Sequence, residues 1–278
     1  MLFQWRSFAM PIQIISLDAC QKIRQHIANA LIVPSAENHP RSLPGLNDDE
    51  PPEPDSLSDL GSLFGLGGMP ELETYAPNYN GQWFISSADP GGALMKLPGV
   101  RLKPTLRLVT YLLRSGTDGM GAVWAVPEML STTAHLQKAL IGGGTVGVGV
   151  LQVPQPGGAL ADVMEAIEGD RSPLSFVIAS IFQRELKEMG ALGKSSDWSH
   201  HRLINALPSQ RNWQWRVPTP PKDLSPKVVI YPDKRAAVEF FTCRITVPVA
   251  IYQHVDQYAA DHYKASSISR AIAIPQKA

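Results

Sequence analysis

Apolar positions along this chain change their period several times, and each change predicts an element. Leu17, Cys20, Ile23, Ile27 and Leu31 recur at the three- and four-residue spacing of an amphipathic helix. Ser16 suits the N-cap, and Asp18 lies where the helix dipole favours an acid. The pattern predicts a helix over about 17–31, stopping before Pro34. A second helix is predicted from Pro173 to Gly190, with Ser172 as N-cap and Gly190 as its stop. Leu174, Phe176, Val177, Ile178, Ile181 and Phe182 make its first half apolar almost all round, which predicts a buried central helix. Its later turns carry Arg184, Glu185, Lys187 and Glu188 and are expected to reach solvent.

Runs rich in β-branched and aromatic residues predict strands at 83–85, 213–217, 227–231 and 237–252. Residues 232–235 are the expected hairpin turn, and Pro248 marks an edge or a break in the long strand. Residues 106–113 and 122–126 flank a glycine-rich loop and read as a hairpin, although 106–114 also fits a helix. Further helices are expected at 127–140, 159–167 and 267–274, and a buried strand at 146–153. Strands and helices mix without regular βα alternation, so the expected fold class is α+β, with a mixed or largely antiparallel sheet around the buried helix.

Residues 34–80 break the pattern. They hold eight prolines, nine acidic residues and a single basic one, Arg41. Such a stretch buries too little apolar surface to offset the entropy of ordering it, so it reads as a disordered acidic linker. The expected organisation is an N-terminal strand and helix segment (1–33), the linker (34–80) and an α+β globular domain (81–278). One apolar island interrupts the linker at Leu57, Leu60, Leu63 and Phe64, and this is the expected partner-binding motif.

Net charge is zero, yet it is unevenly spread. Residues 1–80 carry 4 basic and 10 acidic groups, whereas 181–278 carry 14 and 8. The acidic island is therefore suited to a basic surface, on a partner or on the chain's own last third. No apolar run approaches the roughly 18 residues of a spanning helix, so membrane insertion is not expected. Cys20 and Cys243 are too few and too distant for a disulfide framework, and Pro11, Gln13 and Asp18 break the mildly apolar start. A cytoplasmic protein is expected.

Candidate chemistry is sparse. The run Gly142–Gly147 nominally contains a G-x-G-x-x-G, but a helix precedes it and a strand is expected after it, the reverse of a dinucleotide site. His200 and His201, together with His254 and Asp256, offer the donor types of a metal site, and His254 and Asp256 would share one face of a strand. A metal-assisted hydrolase built on them is one alternative function. Neither Cys243 nor Ser199 sits in the surroundings of a nucleophile, and no triad can be named. Arg202, Arg211, Trp213, Trp215 and Arg216 interleave cations with aromatic rings, which suits stacking on single-stranded nucleic acid. A pI near 7.1 opposes that second alternative.

The run from Phe182 through Trp198, His200, His201 and the Trp213–Trp215 pair resembles uncharacterised cyanobacterial proteins, a resemblance that implies no activity and no site residue. The sequence therefore supports a non-enzymatic regulatory, assembly or adaptor protein that engages a protein partner through its linker motif and N-terminal helix. No cofactor is expected, and the pattern does not fix an oligomeric state.

Overall fold

A computed structural model describes residues 12–38, 80–115, 117–142, 152–209 and 212–276. Its elements begin with β1 (Ile12–Ile14), α1 (Leu17–Ala30), α2 (Ser35–Asn38), β2 (Asn80–Ser86), β3 (Val100–Leu102), β4 (Leu106–Ser115), β5 (Asp118–Pro127) and α3 (Thr133–Gly142). There follow β6 (Ile167–Gly169), α4 (Pro173–Lys187), β7 (His201–Ile204), β8 (Trp213–Trp215), β9 (Lys227–Ile230), β10 (Ala236–Arg244), β11 (Ala250–Tyr258) and β12 (Ala265–Pro275). The class is α+β with more strand than helix.

The largest sheet is antiparallel and runs β1-β9-β10-β11-β12-β8, with β7 beside β9 along the same edge of β10. Alternation along β10 and β11 sorts side chains between two faces. Val238, Phe240 and Tyr258 face α4 and join a core with Phe176, Ile178 and Phe182. Phe241, Cys243 and Ile251 face the other way and pack with Leu224, Ile272 and Ala273. A smaller sheet, β2-β4-β5, packs against α3, and β3 pairs with β6.

Helix α4 begins as its caps dictate. Ser172 accepts from Ser175 N–H, Pro173 occupies the first position, and Gly190 leaves the helix end at φ +70°. Ten of its fifteen residues are buried, and each large apolar side chain so placed contributes roughly 1.5–3 kcal/mol. Helix α1 is capped by Ser16 and sends Cys20, Ile23, Ile27 and Leu31 into the same core. Its apolar face is therefore used within the fold.

Several elements differ from the pattern. Residues 237–252 are not one strand: Arg244 ends β10, and β11 starts after a turn at Pro248. The predicted helix at 267–274 is the strand β12, held by a nearly continuous ladder to β11. Residues 159–167 form only a 3-10 turn at Val163–Ala166, because Asp162 caps Met164 N–H and β3 then recruits Ile167–Gly169. The helix expected at 127–140 starts at Thr133, since Pro127 closes β5 and a 3-10 turn intervenes. Residues 106–115 are strand, and β5 begins already at Asp118. The glycines there permit close packing, for a Cβ on Gly121 would meet Met189 O at 2.3 Å.

The stretch at 34–80 starts with ordered contacts. Glu37 in α2 accepts from Ser86 Oγ at 2.5 Å, from Ser87 N–H at 2.9 Å and from Ser87 Oγ at 2.6 Å. Residues 39–79, and with them Leu57, Leu60, Leu63 and Phe64, lie outside the described residues, as does most of the strand expected at 146–153. Among the described residues, no helix is long and apolar enough to cross a membrane.

Candidate functional site

The α4-facing side of the large sheet carries a polar layer inside an otherwise apolar core. A 3-10 turn at Trp198–His200 delivers His201 to the start of β7, opposite Arg244 of β10. Strand alternation then places Thr242, His254 and Asp256 on the same face as His201. His201 is 4% exposed, His254 3% and Asp256 0%.

One hydroxyl joins the two histidines. Thr242 Oγ1 lies 2.7 Å from His201 Nδ1 and 2.8 Å from His254 Nε2. His254 Nδ1 in turn lies 2.8 Å from Ser269 Oγ on the exposed part of β12. A hydroxyl has one proton to give, so with neutral rings one nitrogen beside Thr242 accepts and the other donates. The tautomers of His201 and His254 are thereby coupled. Burial pushes His201 down to about 4; Asp197 opposes that shift, while Arg244 and Arg24 add to it. His254 is held well below its ordinary value, first by burial and then by Arg184, His201 and Arg24. Both rings are neutral near pH 7.

Two ion pairs flank the chain. Arg184 donates to both oxygens of Asp256, at 2.6 and 2.8 Å, and to Ser180 O at 2.8 Å. Arg24 Nε donates to Glu185 Oε1 at 2.8 Å, and the same oxygen accepts from Trp198 Nε1 at 2.7 Å. The remaining Arg24 nitrogens donate to His201 O and Trp198 O. The Trp198 ring lies 4.5 Å from the Arg24 guanidinium and stacks on His201. Arg184 and Glu185 thus turn inward rather than to solvent, because the sheet and α1 supply their partners.

Protein groups already engage the His254 and Asp256 atoms that a metal would need. Both ring nitrogens of His254 and both oxygens of Asp256 are engaged by protein groups. His200 is only part-buried, and its backbone N–H bonds Asp197 O. Among the described residues no group of three or more His, Cys, Asp or Glu is placed to hold an ion.

The nucleic-acid candidates divide. Trp213 and Trp215 are half-buried against the Phe241, Cys243 and Ile251 cluster, and Trp213 Nε1 donates to Pro208 O at 3.0 Å. Arg202 and Arg216 are exposed, and Arg202 bonds Ser199 O at 3.0 Å. Arg211 lies outside the described residues.

A groove of 710 Å³ opens elsewhere, floored by Leu94, Val100, Leu102 and Leu108. Its charges are committed: Arg107 pairs with Glu128, Arg101 with Glu168, and Asp89 caps Gly91 N–H. None of the candidate histidines lines it.

Sequence reasoning found His201, His254 and Asp256 but missed Thr242, Ser269, Arg24, Arg184, Glu185 and the role of Trp198. A threonine between Phe241 and Cys243 in a buried strand was the available signal, as was a charge pair on an apolar helix. Comparison with protein-family models, curated proteins and solved structures returns no match to this chain.

Proposed function

We propose that the protein is a non-enzymatic cytoplasmic regulatory, assembly or adaptor protein whose acidic stretch presents Leu57, Leu60, Leu63 and Phe64 to a protein partner. The observation that carries this reading is the closed state of the polar layer. His201, His254 and Asp256 are almost wholly buried; His201 Nδ1 and His254 Nε2 meet Thr242, His254 Nδ1 meets Ser269, and Asp256 is held by Arg184. Groups so committed stiffen a core; they do not meet a substrate. Composition supports a disordered linker, with acids that keep the apolar island soluble and steer it toward a basic surface. In this reading α4 is the central buried helix of the globular part. Helix α1 offers a partner only its polar side, since Cys20, Ile23 and Ile27 point inward, so recognition rests on the linker motif.

The test is quantitative enrichment of partners from cell extract by the full chain and by a variant with Leu60→Ala, Leu63→Ala and Phe64→Ala. The reading expects a defined partner that the variant loses while its melting temperature is unchanged. Identical partners for both chains would contradict it, as would a hydrolytic activity that needs divalent metal and disappears in His254→Ala.

A further inference from the structure

The outer edge of β12 is open. Strand β12 pairs with β11 from Ala265 to Ala273, but β8 covers its other side only from Ala273 to Pro275. The last bond on that side runs from Arg216 N–H to Ile272 O, at 2.8 Å. Among the described residues, the outward backbone groups of 265–271 have no partner. Residues 266–271 are all exposed. Exposed edges are ordinarily blunted by lysine, proline, a bulge or a covering loop. Here the bulge lies at the closed end, between Ala271 and Ala273, and the open residues are Ser266, Ser267, Ile268, Ser269 and Arg270.

We propose that this edge pairs with the same edge of a second copy of the chain, antiparallel about a twofold axis at Ile268. The limits of the edge select that occupant. It runs from Ala265 to Ala271, and its midpoint is Ile268, an apolar side chain left 54% exposed. Directly opposed residues in an antiparallel pair share a face, so a twofold axis must pass through a residue rather than between two. Centring on Ile268 sets Ile268 against itself, Ser267 against Ser269, and Ser266 against Arg270. The whole open edge is then paired, and no like charges meet. Centring one residue earlier would oppose Lys264 and Arg270. Centring one residue later would oppose Ile268 to Arg270 and call on Ile272, whose carbonyl is already taken by Arg216. The pairing joins two seven-stranded sheets into one. With only seven residues a side, it belongs to the weak, reversible class of interface.

Sedimentation velocity of the full chain between about 5 and 500 µM provides the test. The wild type should shift from monomer to dimer over this range. Ile268→Lys and Ile268→Glu should each weaken association at least tenfold at unchanged melting temperature. Mixed together, these two variants should re-form a dimer, because the axis places the new charges opposite one another. A wild type that stays monomeric overturns the proposal, as does a dimer indifferent to Ile268→Lys. Failure of the two charge variants to pair when mixed overturns it as well.

Discussion

His201 and His254 come from different strands, β7 and β11, and meet through the one hydroxyl of Thr242, their ring centroids 5.9 Å apart. The link makes the proton on one ring depend on the proton of the other. It also ties the short strand β7 to the centre of the sheet beneath α1 and α4. A core that encloses such a chain gains a fixed arrangement and gives up access to it.

Replacing Thr242 with valine keeps the volume and removes the bridge. One histidine nitrogen then loses its acceptor and the other its donor, in a site closed to water. Thr242→Val should lower stability by roughly 1–3 kcal/mol in urea titration, whereas Thr242→Ser should retain most of it.

Asp256 has no exposure and Arg184 very little, so the pair lives or falls together. Asp256→Ala leaves a guanidinium facing Phe240 and Trp198 without its counter-charge. The expected loss is about 3–5 kcal/mol. The double change Arg184→Met with Asp256→Leu should recover a large part of that loss. Equal destabilisation by the single and double variants would show that the charges matter less than the shape.

The two histidines also set a pH dependence. Their folded values lie below the unfolded one near 6.5, so the unfolded chain binds more protons in the interval between. Their contribution to stability is complete above about pH 6.5 and is lost as the pH falls toward about 4. For His201 alone the change is on the order of 3 kcal/mol. Melting temperature should therefore fall over that interval, and Thr242→Val should alter the profile while surface variants leave it in place.

Local chemistry was the legible part of this fold. Ser172, Pro173 and Gly190 bound α4, and Ser16 starts α1, because caps act within a few residues of the elements they terminate. Strand β12 was illegible for a physical reason. Ser266 to Ala271 are exposed on both faces, so no two-residue apolar period exists, and the ladder that fixes the strand comes from β11. Residues 163–169 were lost similarly, since β3 supplies the pairing from more than sixty positions away. In the polar layer, residue type pointed to His201, His254 and Asp256. Their partners Arg24, Arg184, Thr242 and Ser269 come from four elements that only the folded chain brings together.

Ring nitrogen shifts in a long-range ¹H–¹⁵N spectrum report whether the histidine cluster is a closed, neutral part of the core. Between about pH 8 and pH 5, His201 and His254 should stay neutral, each as a single tautomer, with one proton shared between His201 Nδ1 and His254 Nε2 on the two sides of Thr242. Addition of zinc should leave these signals where they are. Titration of either ring near 6.5, or a zinc-dependent shift of both, would mean that the cluster is open to solvent and ligands, and would contradict a closed core.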